Sequence, residues 1–120
     1  MIHLKSIQLK NKNILILGAS LLQKPAIQSA KELGCKVFVV DGNPNALCVS
    51  LADVFECIDL KDEQGLLSYA KKIHDSEGLH GVFTAGTDFS KSVAFVTENL
   101  NLSGHAYQAA KNASDKALMR

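Results

Sequence analysis

The sequence predicts an α/β domain built on a mainly parallel sheet of four to five strands. Three observations predict it. Short runs of aliphatic and β-branched residues alternate with longer stretches whose apolar residues recur at helical spacing. The first two runs, Asn13-Ile-Leu-Ile-Leu17 and Lys36-Val-Phe-Val-Val40, are continuously apolar inside, as strands covered on both faces must be. Turn formers stand at the joints: Gly18, Gly34 and Asp41-Gly-Asn-Pro44.

Taken in order, Asn13–Leu17 reads as a strand that stops at Gly18. Lys24–Leu33 reads as a helix that puts Ile27, Ala30 and Leu33 on one face, with Pro25 in its first turn and Gly34 ending it. Lys36–Val40 is a second strand, closed by the Asp41–Pro44 turn. Residues Asn45–Asp53 suggest a short helical turn carrying Leu47 and Leu51. Val54–Ile58 is a third strand, Asp59–Glu63 a loop and cap, and a helix then runs through His74 with Leu66, Leu67, Ala70 and Ile73 on its buried side. Gly81–Thr84 is a fourth strand. After the Ala85-Gly86-Thr87-Asp88 turn, Phe89, Val93, Val96 and Leu100 predict a helix to about Asn99, capped by Asp88 or Thr87. Leu102–Gly104 suggests a marginal fifth strand and His105–Lys111 a short helix. Ser114-Asp115 would cap another helix still running at Arg120. So short a helix cannot offset its nucleation cost alone, so 1–112 is expected to be the domain and 113–120 the start of a truncated second module.

Composition narrows the function classes. With 120 residues, 47% hydrophobic and 21% charged, the chain holds enough apolar material for one core. Thirteen basic against 12 acidic residues give a net charge of +1, which offers no cation excess for a nucleic-acid backbone or an anionic membrane surface. Neither partner is expected. The three cysteines, Cys35, Cys48 and Cys57, have no C-x-x-C spacing, and the Met1–Lys12 segment is too polar for a signal-peptide core. A reducing cytoplasm is the expected compartment.

In open sheets of this kind ligands bind where the strand order reverses, at the carboxyl ends of the strands flanking that point. Here those ends are Gly18-Ala19-Ser20 and Ala85-Gly86-Thr87-Asp88. The first loop supplies a glycine, a hydroxyl and a helix N-terminus, which suit an anion. A carboxylate or phosphate is therefore expected on backbone N–H groups and Ser20, while Asp88 caps its helix or meets an amine or hydroxyl. Other chemistries find less support. A dinucleotide loop would read G-x-G-x-x-G, but Gly18-Ala19-Ser20-Leu21-Leu22-Gln23 keeps one glycine; Asp41 sits where an acid would hold a ribose, though it suits equally a cap for its own turn. There is no G-x-x-x-x-G-K-[ST] loop, no magnesium-holding acid pair after the first strand, and no G-x-S-x-G around Ser20. His3, His74, His80 and His105 have no ligand spacing, so no metal site is expected, and no catalytic residue is assigned. The Asp59–Glu63 acids read as a solvated helix start. An NAD-type dinucleotide-binding domain and a non-enzymatic α/β interaction module stay open as alternatives.

The succession of loops carries more than any one of them. Asn13-Ile-Leu-Ile-Leu-Gly-Ala-Ser20, Gln23-Lys-Pro25 with Ala30-Lys31 and Gly34, Val40-Asp-Gly-Asn-Pro44, Ala52-Asp53 and Thr84-Ala-Gly-Thr-Asp88 follow one another as a set. In that order they resemble the Rossmann-like, three-layer N-terminal domain preceding the ATP-grasp fold in carboxylate-amine ligases. Examples are the carbamoyl-phosphate synthase large chain, biotin carboxylase and purine-pathway formyltransferases. Ala110-Lys-Asn-Ala-Ser-Asp-Lys-Ala-Leu-Met-Arg120 resembles the segment leading into the ATP-grasp module. The resemblance implies an enzyme that phosphorylates a carboxylate with ATP and magnesium and lets an amine or other nucleophile displace the phosphate. It implies that this chain is the N-terminal fragment, inactive alone and without a cofactor of its own. Its substrate-site residues would be Gly18, Ala19, Ser20, Gln23, Thr84, Gly86, Thr87 and Asp88, with Lys116 touching nucleotide. The expected partners are a small carboxylate and an amine or other nucleophile, and a homodimer is the assembly to look for.

Overall fold

The structure is a computed structural model that describes residues 11–86 and 88–102. Four strands form one all-parallel sheet in the order β3-β2-β1-β4: β1 Asn13–Leu17, β2 Lys36–Asp41, β3 Val54–Cys57 and β4 Gly81–Phe83. Three helices connect or follow them, α1 Lys24–Glu32, α2 Glu63–Ser76 and α3 Ser90–Asn99, with 3-10 turns at Leu21–Gln23 and Val49–Leu51.

The period of two along a strand divides the apolar residues of β1 and β2 between two cores. Leu15, Leu17, Phe38 and Val40 face Leu66, Ala70 and Ile73 of α2 and Val93 and Val96 of α3. Ile16, Val37 and Val39 face Ile27 of α1, with Ala19, Cys35 and Cys48. Helices therefore cover both faces, giving three layers, and this is why the two central strands read as unbroken apolar runs. Asp53 sets the entry to β3: its N–H donates to the Val37 carbonyl at 2.9 Å and its carboxylate accepts the Val37 N–H at 2.8 Å. The amino edge is held by Asn13, whose side-chain amide donates to the Glu77 and Gly78 carbonyls. The Asn13 N–H donates to His80 Nδ1 at 2.9 Å, so this histidine serves as a backbone cap.

Several expectations need correction. The N-cap of α3 is Phe89, with no side-chain cap, because the preceding turn runs on and leaves Asp88 one residue outside. The helix α1 ends at Glu32 with Leu33 as its C-cap, β3 ends at Cys57, and α2 continues past His74 to Ser76. Only Val49–Leu51 of the 45–53 stretch is helical, a single 3-10 turn, and Leu47 is 74% exposed rather than anchoring it. Most of the Leu102–Gly104 strand, the His105–Lys111 helix, the Ser114-Asp115 cap, Thr87 and Lys116 lie outside the described residues.

One buried group stands out energetically. The Tyr69 hydroxyl is shielded from solvent and has no hydrogen-bond partner among the described residues. Burial, with the Glu56 and Glu77 carboxylates, pushes its pKa above the ordinary tyrosine value. Denaturant unfolding should therefore separate three variants. Leu15→Ala, at a fully buried site, should lose about 2–5 kcal/mol. Leu47→Ala should stay within about 0.5 kcal/mol, and Tyr69→Phe should be neutral or stabilising by up to about 1 kcal/mol, since it removes an unpaired buried hydroxyl.

Candidate functional site

Because β1 is flanked by β2 on one side and β4 on the other, the chain reverses its order of strand addition beside β1. The loops after β1 and β4 are thereby neighbours, and the loops after β2 and β3 open on the same edge because all four strands are parallel. Between them lies a crevice of about 550 Å³ whose walls include Gly18, Ser20, Asp41, Asp59, Gly86 and Asp88.

The two central loops are tied together by a buried amide. Gln23, only 4% exposed, accepts the Ala85 N–H on Oε1 at 2.8 Å and donates from Nε2 to the Ala85 carbonyl at 3.1 Å. Nε2 also lies 3.4 Å from Thr84 Oγ1, and the Thr84 hydroxyl donates to the Leu17 carbonyl at 2.8 Å. Of the expected site residues, Gln23 lines the crevice, while Thr84 and Ala19 are buried behind it. Gln23 and Thr84 spend their polar atoms holding the loop ends side by side. Ala19 is fully buried with its methyl in the α1-side core.

Backbone conformation accounts for the glycines at the crevice. Gly18 has φ +111°, and a Cβ there would also stand 3.2 Å from the Gln23 side chain. Gly86 has φ +82°, and a Cβ would come within 3.1 Å of Leu22. A side chain at such φ is disfavoured by about 1–2 kcal/mol before any contact is counted.

Two N–H groups of the first loop, where an anion seat is expected, already have partners. The Gly18 N–H donates to the Val40 carbonyl at 2.7 Å, and the Ala19 N–H donates to Asp41 Oδ2 at 2.8 Å. Asp41 Oδ1 accepts the Asn43 N–H at 2.8 Å. Both Asp41 oxygens are therefore committed to the backbone, one tying the first loop and the other capping the Asp41–Pro44 turn. That commitment gives no support to a ribose-binding role for Asp41. Ser20 begins the 3-10 turn without a side-chain capping bond and is exposed, and Asp88 is exposed at the opposite wall.

Asp59 is the residue that reasoning from the sequence placed elsewhere. In the run read as a solvated helix start, Asp62 is the actual cap of α2, accepting the Gly65 N–H at 3.0 Å. Asp59 instead closes a turn onto the Lys61 N–H at 2.9 Å and lines the crevice. Its position at the carboxyl end of the third parallel strand was the available signal. Among the described residues no group of three or more His, Cys, Asp or Glu side chains is placed to hold a metal ion.

If Gln23 is the tie between the loops, Gln23→Ala should cost about 1–3 kcal/mol by leaving the Ala85 N–H and carbonyl unpaired. Ser20→Ala should change stability by less than about 0.5 kcal/mol. Equal, small shifts of the urea midpoint for both would show that the amide is not structural.

Comparison with known proteins agrees with this architecture. The formate-dependent phosphoribosylglycinamide formyltransferase of Prochlorococcus marinus is 39% identical over 62 residues, which are 52% of this chain and 16% of that protein. The 3-methyl-D-ornithine–L-lysine ligase of Methanosarcina barkeri is 38% identical over 63 residues, 52% of this chain and 17% of that one. Among solved structures, phosphoribosylglycinamide synthetase from Anaerococcus prevotii superposes with a TM-score of 0.62 at 29% identity, covering 77% of this chain and 23% of that one. The ADP complex of N5-carboxyaminoimidazole synthetase from Staphylococcus aureus, at 22% identity and a TM-score of 0.61, shares the fold over 74% of this chain and 22% of its own. The chain thus matches less than a quarter of the length of each of these relatives. Residues 27–104, from within α1 through β2, β3 and β4 to beyond α3, match the ATP-grasp N-terminal domain, and the chain belongs to that family.

Proposed function

We propose that this domain is the N-terminal domain of a cytoplasmic ATP-dependent ligase that joins a carboxylate to an amine, and that its crevice forms part of the acceptor-substrate site. The supporting observation is that the family match includes the Ala85–Asp88 loop, one wall of the crevice at the switch point of the sheet. The name of one relative, 3-methyl-D-ornithine–L-lysine ligase, describes a ligation of this kind. In this reading Gly18, Ser20, Gly86, Thr87 and Asp88 face the substrate. Ala19, Gln23 and Thr84 serve it indirectly by setting the separation of the two loops.

In this reading the described residues hold neither ATP nor magnesium. They present no cluster of metal-binding side chains, and the sequence has no Walker loop. We assign nucleotide and metal to parts of the enzyme outside the described domain, with 1–112 as the N-terminal unit, 113–120 leading to the ATP-grasp module, and Lys116 as the nucleotide contact. The chain's own residues then bind and orient the acceptor; the chemistry of phosphoryl transfer is supplied elsewhere. The membrane plays no part in this reading, and among the described residues no helix is long and apolar enough to cross one.

The protein expressed from its complete reading frame should release phosphate from ATP only when both a carboxylate and an amine acceptor are present; release that ignores the acceptor would overturn the reading. The 120-residue chain by itself should hydrolyse no ATP, and phosphate release by it, abolished by a mutation within it, would show that the chemistry resides here. In the complete protein Lys116→Ala should raise the apparent KM for ATP while changing stability by less than about 1 kcal/mol. An unchanged KM for ATP would remove Lys116 from the nucleotide site.

A further inference from the structure

The α1 side of the sheet is incompletely covered over β4, and the geometry points to the occupant: the segment His105–Lys111 of this same chain, outside the described residues, docks in an apolar groove between α1 and β4. Strand alternation defines the floor of that groove. Val82 enters the core under α2 and α3, so Gly81 and Phe83 face the opposite layer, in register with Ile14 and Ile16 of β1. Ile16 is buried there, but Phe83 is 39% exposed and belongs to neither core. Gly81 brings no side chain, and the Ile14 side chain leans over it, 3.3 Å from where a Cβ would stand.

The wall is one flank of α1. Lys31 reaches the Leu51 carbonyl at 2.9 Å on the β3 side, whereas Gln23 reaches the Ala85 carbonyl at 3.1 Å on the β4 side. Ala26 and Ala30 stand three and seven residues after Gln23, so helical periodicity places them on the flank that looks over β4. Leu22, 61% exposed, closes the carboxyl end of the groove beside Gly86. Alanines in the wall and a glycine in the floor allow a second helix to approach to the short end of the roughly 8–10 Å that separates packed helix axes.

The course of the chain selects what fills the space. From β3 through α2 to β4 the chain crosses from one edge of the sheet to the other with its helix on the α2–α3 face. On that same face α3 starts at the carboxyl edge, where the Ser92 hydroxyl donates to the Leu60 carbonyl at 3.2 Å, and the helix is ended by Asn101 with φ +55°. A crossover of the same hand takes the residues after Leu102 past the outer side of β4. There the α2–α3 face is filled by α3, and the face left for 105–111 is the one over Gly81 and Phe83. The sequence fits that place. Ala106, Ala109 and Ala110 recur at i, i+3 and i+4 and give a small apolar face for a wall of alanines, with Tyr107 beside them to cover the Phe83 ring. The amino-terminal residues fit it less well, because Ile2, Leu4, Ile7 and Leu9 spread around a helix instead of forming one face.

A helix as short as His105–Lys111 does not persist alone in water, so order in it reports docking. The test uses the 120-residue chain with its alanine and isoleucine methyl groups and its phenylalanine rings isotopically labelled. Nuclear Overhauser contacts should join the Phe83 ring or the Ile14 methyl to the methyls of Ala106, Ala109 or Ala110. Amide exchange at 109–111 should be slowed about tenfold or more relative to an unstructured chain. Ala109→Glu with Ala110→Glu keeps good helix formers but puts charge on the docking face. It should abolish both effects and move the amide signals of Ala26, Ala30 and Phe83 while leaving those of Val54–Cys57, on the far edge, in place. Contacts to the Phe83 ring from Ile2, Leu4, Ile7 or Leu9, contacts seen only between differently labelled copies in a mixed sample, or no contact to that ring at all would each overturn the inference. Protection of 109–111 that survives the double substitution would do the same. None of these outcomes depends on what the crevice binds.

Discussion

The carboxyl edge of this sheet depends on the double hydrogen bond between the Gln23 side-chain amide and the Ala85 backbone. β1 and β4 are bonded neighbours in the sheet, but pairing ends at Ile16 and Phe83, and beyond that point the two chains diverge into separate loops. Gln23 extends the connection past the last rung by supplying, from a side chain, the donor and acceptor that a neighbouring strand would have offered. A buried amide with both ends satisfied is worth having; one with either end free would be a liability. Thr84 completes the arrangement through the Leu17 carbonyl, so the crevice has one rigid wall joint at the switch point.

The same logic of side chains standing in for backbone partners recurs around the sheet. Asp41 holds the loop after β1, Asp53 starts β3, and Asn13 closes the amino edge on Glu77 and Gly78. Each of these polar side chains pairs backbone N–H or carbonyl groups that would otherwise lack a partner. Among the crevice residues, the Ser20 and Asp88 side chains and one oxygen of Asp59 carry no such duty among the described residues.

The two helical layers also fix where the crevice opens. The two cores bury β1 and β2 between α1 on one side and α2 with α3 on the other, so the scaffold is stiff where the loops leave it. The crevice is open at the edge where those loops end.

By itself the sequence determined the alternation of strands and helices, because continuous apolar runs such as Ile14–Leu17 and Val37–Val40 can be buried only between two helical layers, and local turn residues mark their ends. It also determined the two loops that meet, since a reversal beside the first strand is what this pattern of elements produces, and the order of the loop motifs pointed to the ATP-grasp family. Only the tertiary structure decided which polar atoms were free. Asp41 and Gln23 look alike available in the sequence, as do Asp59 and Asp62. Whether an oxygen faces a ligand or an N–H from a residue 22 or 62 positions away depends on contacts between distant segments, which no local pattern encodes. The position of the α3 cap was lost for the same reason: Asp88 is a good capping residue by type, but the geometry of the loop that crosses from β4 set Phe89 at the helix start.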